Sequence, residues 1–550
     1  MYREHCEAVG GNGPSPIGAT IQGSMRVEKK TASSAMKMTR RQALAGVAGI
    51  GLMATTGKFA WAAGESIKRG GKLSIVLEVD VKSLDPLMGN VTVIDRHVYN
   101  LFAESLLQQD EKGELQPWLA EKWDVQNGGK TITFKLRDGM TFHDGTPINS
   151  EAAKYCLERV IDPKIINQNK QYVSSMKSVE IVDPLTIKIN LDSPQASFLA
   201  MMANEPGIIV SPTALKERGD GFARAPVGSG PFVVRQRETG HVNAVRNEKY
   251  WRKAPDGKPL PYLDEIDMTV NPDSSVRLLS VLSGTAQLCE AVGTNSFDRA
   301  KASKDAHLVD FDLGAAFVTS FNVTRKPFDN IDARKAAAMA LDREAMVKIV
   351  TGGNGVALKG IEPPASWVYD DKLRGHAFDP DQAGALFKKA GVTGPVTLLL
   401  IQRDPDKQIA EMMQAMLSDA GFKVELAALE RTAFLERVKK MDYDIALTKS
   451  LPMQRPDPHI QYAFAYSRVA TFNYPGMKDE DIFNLTDQAA VELDQQKRKA
   501  LYVQIQQMVL DRYYQSFLLW NPTREVASNK LNNIVHDATG IWRYEEMWLS

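Results

Sequence analysis

Residue types suited to chemistry are few in this chain, and they are scattered. Its eight histidines occur singly, and His143, beside a turn, has no second histidine or carboxylate at the spacing a metal needs. There is no HExxH, GxSxG, paired CxxC or Walker lysine. Gly228-Ser229-Gly230 could cradle an anion, but with no P-loop lysine nearby it reads as backbone geometry. Past Cys6 only Cys156 and Cys289 remain; an oxidising compartment permits a disulfide, but two distant cysteines do not predict one, so buried thiols are expected. The chemistry left is binding without turnover, with no cofactor and no metal. The stretch best placed to meet a ligand is the loop after a strand over Tyr443 to Thr448, because such loops face the crevice at the carboxyl ends of strands. That loop, Lys449 to Asp457, reads KSLPMQRPD.

Strands and helices in alternation have to position it. Thr131, Thr133, Lys135 and Arg137 alternate with Ile132, Phe134 and Leu136, the period of two of a half-buried strand. Asn127-Gly128-Gly129 turns into this strand and Asp138-Gly139 out of it; Met140, Phe142 and His143 carry a short extended piece closed by Asp144-Gly145 and Pro147. A helix follows, capped by Asn149 or Ser150, with Ala153, Cys156, Leu157 and Val160 on one face. Lys72 to Asp80 and Thr186 to Asn190 read as strands, Val98 to Leu107 as a helix, and Phe232 to Gln236 with His241 to Arg246 as a hairpin. Beyond Phe317 come a long helix through Ala336 to Ile349, another between Asp379-Pro380 and Gly391, and strands at Val396 to Ile401 and Lys423 to Ala428 around a Lys407 to Ala420 helix. This alternation predicts a mixed α/β region with largely parallel pairing. A last helix over Gln496 to Asp511 leads into Phe517 to Trp520, expected to return the chain to its first half.

Taken together, LAEKW, TFKLRDGMTFHDGTP and the capped helix ending in LERV resemble the signature of the extracytoplasmic solute-binding proteins of family 5, which serve peptide, nickel and opine ABC transporters. The resemblance recurs in Ser83-Leu84-Asp85-Pro86, in GSGPF at Gly228 to Phe232 followed by a hairpin and Asn247, Tyr250 and Trp251, and in Phe321-Asn322 with Pro327-Phe328-Asp329. It covers residues 70 to 550. It implies an α/β, two-lobed periplasmic-binding-protein type II fold (cluster C) with mixed β-sheets and a hinge of two crossings near Leu313 and Asn521. Lobe I would span 64–313 with an extra subdomain at about 108–215, lobe II 314–520, and 521–550 would return to lobe I. The implied function is the receptor of an ABC importer, not an enzyme: a monomer that captures a peptide or peptide-like solute in the cleft and delivers it to a membrane permease with its cytoplasmic ATPase. A metal-chelate or opine receptor of the same fold is the alternative, and a hydrolase whose triad assembles only in three dimensions a remote one.

Peptide receptors of the family often carry Trp-x-Ala-Asp-Tyr-x-Asp-Pro in the crevice loop, with the acid pairing the peptide's α-ammonium. Anchored on Asp457-Pro458, Leu451 stands at the Trp, Gln454 at that Asp and Arg455 at the Tyr. The resemblance thus implies a ligand site of Asn322, Lys449, Gln454, Arg455, Asp457, Asn473, Tyr474 and Trp520, and a solute with an anionic or amide group rather than a free amino terminus.

Composition is that of a globular protein, 43% hydrophobic and 24% charged over 550 residues. The formal charge of +0 hides an asymmetry: residues 1 to 63 are net basic and the rest carries 59 Lys and Arg against 64 Asp and Glu, which speaks against a nucleic-acid partner. Arg40-Arg41 before the apolar run Ala43 to Met53, with Ala60-Trp61-Ala62 behind it, predicts a Tat-like leader over residues 1–63, cleaved near Ala62 to leave a periplasmic protein. Met36 or Met38 would be its start, and Sec is the alternative route. The apolar run is too short to span a membrane, and no other stretch reaches the roughly 18 apolar residues needed.

Overall fold

Two mixed sheets, each with its own apolar core, dominate the computed structural model, which describes residues 67–89 and 92–550. The leader, with Arg40, Arg41, Ala62, Cys6 and both candidate starts, lies outside the described residues. The first sheet has seven strands in the order Phe232–Glu238, His241–Arg246, Glu265–Val270, Lys72–Leu77, Leu288–Val292, Arg524–Ser528 and Ala306–Leu308. Lys72–Leu77 lies parallel to a strand on each side. Helix Ser274–Leu282 joins those two neighbours, started by the Asp273 carboxylate accepting from the amides of Ser275 and Val276 at 2.8 and 3.3 Å.

The second sheet has six strands, ordered Val356–Ala357, Gln515–Asn521, Ala315–Phe321, Ile445–Ser450, Pro395–Ile401 and Lys423–Leu429. Pairing is parallel only between the last three; the other junctions are antiparallel, which corrects the expected largely parallel sheet. The reason is the chain's path: Ala315–Phe321 enters this sheet and its neighbour Gln515–Asn521 leaves it at the same end, so the two must run oppositely. Phe517 to Trp520 therefore belong to the second sheet, and the chain regains the first only at Arg524–Ser528. The connections, residues 309–314 and 522–523, are tied together. The Leu313 amide donates to Thr523 O at 3.1 Å and the Trp520 indole to the Asp312 carboxylate at 2.6 Å. At Gly314 a Cβ would stand 2.4 Å from Asn521 O, so only glycine lets the two connections touch.

A separate four-stranded sheet, Ala120–Gln126, Thr131–Leu136, Thr186–Leu191 and Met176–Asp183, carries the alternating stretch, with Ile132, Phe134 and Leu136 in the first core. Asn127, Gly128 and Gly129 all take positive φ (52°, 61° and 89°), which is why the turn is built from Asn and Gly. Helix Ser150–Ile161 is capped by Asn149, which accepts from the Ala152 amide at 3.0 Å, and it buries Ala153, Cys156, Leu157 and Val160.

Two helices differ from expectation. The predicted Val98 to Leu107 helix is Val93–Phe102, started earlier by a Thr92/Asp95 capping box; Leu106 instead follows the short strand Glu104–Ser105 and Leu107 opens the strand Leu107–Gln109, since a buried apolar run does not by itself distinguish strand from helix. The long helix to Ile349 is two, Ile331–Met339 and Arg343–Val350, because Asp342 caps the second by accepting from the Ala345 amide at 2.9 Å.

GSGPF, Asn247, Tyr250 and Trp251 form a structural clasp. A Cβ at Gly228 would lie 2.0 Å from Phe102 O, while Ser229 Oγ, Tyr250 Oη and Trp251 Nε1 donate to the buried Glu104 carboxyl at 2.7, 3.0 and 2.9 Å. Burial raises the pKa of that carboxyl to about 7. His143 belongs to the same clasp, its Nε2 standing 3.0 Å from Gly230 O.

Candidate functional site

At the carboxyl ends of the three parallel strands of the second sheet stand three cations. Arg403 lies two residues past Pro395–Ile401, Arg431 two residues past Lys423–Leu429, and Lys449 is the penultimate residue of Ile445–Ser450, a strand residue rather than a loop residue. Arg403 pairs with Asp406 at 3.4 Å, in the first turn of helix Asp406–Asp419. Lys449 has accessible surface, yet surrounding protein and then Arg403 hold its pKa below the usual lysine range; Arg431 acts in the same direction, while Asp406 and Glu78 oppose. Glu78 follows the end of Lys72–Leu77 in the first sheet and lies 3.8 Å from Arg277. The end of Lys72–Leu77 in the first sheet thus acts electrostatically on Lys449 in the second, and ligands of open α/β sheets bind at the carboxyl ends of strands.

Glu78 rests on a buried support. Its amide donates to the Glu290 carboxyl at 3.0 Å, and Arg277 donates to the carbonyls of Asn271, Glu290 and Ala291 at 2.9, 3.1 and 2.6 Å. Burial raises the Glu290 carboxyl to about 8, so it is mostly protonated at neutral pH.

The crevice loop is spent differently. Gln454 Nε2 donates to Leu313 O at 3.1 Å, in the first connection between the sheets. Arg455 lies 5.8 Å over the Phe464 ring and, with Gln454, Arg96, Tyr172 and Glu205, lines a cavity of about 20 Å³, the space of about one water. Glu205 is buried; burial raises its carboxyl above the usual range, opposed first by Arg96, 3.5 Å away, and then by Arg455. The arginine expected to meet a ligand's anion therefore shares a small internal cavity with the protein's own carboxylate.

Several other expected site residues spend polar groups on internal partners. Asp457 is buried, paired with Arg498 at 2.5 Å, and accepts from the His459 amide at 2.8 Å. The buried Asn322 amide donates to Met441 O and Tyr443 O at 3.0 and 2.8 Å and accepts twice from Thr324, which leaves it nothing for a solute. Asn473 closes a turn, donating to Met477 O at 2.9 Å and accepting from its amide at 3.1 Å. Trp520 is a buried element of the connection between sheets. Tyr474 stacks on Phe472; burial raises its hydroxyl to about 12, opposed by Arg431, which places it beside the strand-end cations.

Sequence reasoning missed Arg403, Arg431, Asp406 and Glu78. The available signal was positional: each lies within a few residues of the apolar run of a parallel strand. Among the described residues no group of three or more His, Cys, Asp or Glu could hold a metal, and no helix is long and apolar enough to cross a membrane. Cys156 and Cys289 are free and buried, with thiols pushed up to about 11 and about 12, so neither is poised as a nucleophile.

The model of the bacterial extracellular solute-binding proteins, family 5 middle region, matches residues 114–472. The chain belongs to this family. As a family 5 solute-binding protein it is the substrate receptor of an ABC importer, with the α/β type II periplasmic-binding-protein fold. It is 30% identical over 354 residues to the glutathione-binding protein GsiB of Shigella flexneri, covering 63% of this chain and 67% of the relative. It is 26% identical over 471 residues to the dipeptide-binding protein of Escherichia coli (strain K12), covering 79% and 86%. The fold is similar to that of AgaA from A. tumefaciens R10, solved with agropinic acid (TM-score 0.74, 24% identity, 87% of this chain and 99% of that one). It is also similar to NikA from Brucella suis, solved with Fe(III)-EDTA (TM-score 0.76, 24% identity, 87% and 100%). These relatives are solute-binding proteins rather than enzymes.

Proposed function

We propose that this family 5 receptor captures a peptide or peptide-like organic solute between its two sheets, with the solute's anionic end against Arg403, Arg431 and Lys449 and an uncharged end towards Gln454. The observation that supports this is the uneven charge of the two ends: among the described residues, of the three strand-end cations only Arg403 has a carboxylate within ion-pair distance, Asp406 at 3.4 Å, whereas the loop's Arg455 shares its cavity with the buried Glu205. The relatives named for glutathione and dipeptides support a peptide-type solute, and the agropinic acid complex of a protein with the same fold supports an anionic conjugate. The two sheets, joined by two short connections, are taken to act as lobes that close over the solute. A Tat-like leader would deliver the chain to the periplasm, where it works as a monomer, does not change its ligand, and hands it to the permease.

Binding to the closed form alone would stabilise the protein by about 2.7 kcal/mol at a hundredfold excess over Kd. A melting-temperature screen of free and amino-blocked peptides, followed by mass analysis of the recovered ligand, tests this. Unaltered ligand with a raised Tm is expected; conversion of a stoichiometric ligand over hours would overturn it.

A further inference from the structure

We propose that the cleft is blind beyond Gln454: a wall of side chains from both halves of the chain stops the uncharged end of the solute there, so the receptor takes a short solute that cannot be lengthened at that end. This deepens the receptor function proposed above and rests on it for the direction in which the solute lies.

The wall starts at the first connection between the sheets and runs outwards along the crevice loop and the helix behind it. Gln454 Nε2 is tied to Leu313 O at 3.1 Å. From the first half of the chain, Arg96 reaches Gln454 O at 3.5 Å and Gln109 Nε2 donates to Pro456 O at 3.1 Å. In helix His459–Tyr466, Ile460 is buried as a member of the first core, and Phe464 packs against that core with its ring 5.9 Å from the ring of Tyr172. Further out, the Ala196 amide donates to Ala490 O at 2.8 Å, and a Cβ at Gly129 would stand 3.2 Å from Leu493.

Its first-half face is braced from behind. The Tyr172 carbonyl accepts from Gln195 Nε2 at 2.7 Å, and Gln195 Oε1 accepts from Ser175 Oγ at 2.6 Å. Asn204 accepts from Arg96 and donates to Ala200 O at 2.9 Å. The room left inside the wall is the cavity of about 20 Å³ bordered by Arg96, Tyr172, Met201, Arg455 and Ile460, enough for one water and too small for an amino-acid residue. A longer solute has to push Tyr172 or Ile460 out of close-packed surroundings, and overpacking of that kind is destabilising.

The strand ends are built differently. Among the described residues no hydrogen bond, ion pair or ring contact joins Arg403, Arg431 or Lys449 to residues 67–308. The two halves of the chain therefore meet side chain to side chain at the Gln454 end and not at these cations, which makes one end of the cleft a stop.

Calorimetric titration of N-acyl-Ala-Ala peptides, with the acyl chain lengthened from two carbons to eight at constant charge, tests the proposal. In a cleft that continues past Gln454 each added methylene is buried and affinity rises; at a blind end affinity falls once the wall is met. The wild type is expected to bind the octanoyl peptide at least tenfold more weakly than the acetyl one. Tyr172→Ala with Phe464→Ala removes two rings that meet across the wall and should recover the octanoyl peptide with acetyl affinity nearly unchanged, folding being checked by a retained cooperative melting transition. Affinity that climbs steadily with acyl length in the wild type, or a folded double variant that still rejects the octanoyl peptide, overturns this inference while the receptor stands. The wild-type series decides by itself where the double variant does not fold. Failure of every member of the series to bind overturns the peptide-type receptor and this inference with it.

Discussion

The crevice loop around Gln454 and the strand ends around Arg403 carry similar side chains and settle their charge in opposite ways. In the loop, Arg455 and Arg96 act on the buried Glu205, Asp457 is locked to Arg498, and Gln454 is tied to Leu313. At the strand ends Lys449 and Arg431 have no carboxylate within ion-pair distance among the described residues, and surrounding protein, then Arg403, hold the Lys449 pKa below the usual lysine range. A polar group paired inside the protein stabilises the fold; one held unpaired in solvent-accessible space costs stability and is available to a ligand. Under the proposed function the loop would be the structural end of the site and the strand ends the binding end.

The contrast is broken most forcefully at Asp457. Asp457→Ala strands the buried Arg498 charge and should cost about 3–5 kcal/mol, seen as a lower denaturant midpoint, with solute affinity of the folded protein unchanged. Lost affinity at unchanged stability would move Asp457 to the binding end. Arg455→Ala should follow at about 1–3 kcal/mol, because Glu205 is left to Arg96 alone, again with the loss appearing in Tm rather than in Kd.

A pH series probes the support beneath Glu78. Glu290, raised by burial from 4.5 to about 8, keeps a proton in the folded state that the unfolded chain has released over that interval. Its contribution to stability is therefore full below pH 4.5 and is lost as pH rises towards 8. Glu290→Gln should flatten the fall of Tm between pH 6 and 8; an unchanged slope would show that Glu290 is not the titrating group. The smallest effect on stability belongs to Lys449→Gln and Arg431→Gln, each within about 0.5 kcal/mol by chemical denaturation. A loss of several kcal/mol in either would mean that these cations are paired after all and would erase the contrast.

Local patterns carried far into the fold. The alternation over Thr131 to Leu136, the Asn149 cap, and the Asp379-Pro380 start and Gly391 stop of helix Pro380–Ala390 were legible because each depends on a few neighbouring residues. The family signature was legible for the same reason, and one part of it, GSGPF with Tyr250 and Trp251, proved to be a clasp around Glu104, since a motif records whatever packing needs those side chains. Asn322, Asp457, Asn473 and Trp520 stood at positions a resemblance points to, but sequence cannot say whether a polar group is already satisfied. That depends on partners such as Tyr443, Arg498, Met477 and Asp312, the first two of them 121 and 41 residues away.

By itself the sequence determined most of the elements and the family, both encoded in short-range spacing and residue type. Tertiary structure alone decided the sense of the strands in the second sheet, because the chain had to enter and leave it at one end. It also decided which charges meet: Lys449, Arg403 and Arg431 are remote in sequence and become one cation group, with Asp406 paired to Arg403, only when three parallel strands bring their ends together, because electrostatic balance depends on distance in space rather than along the chain.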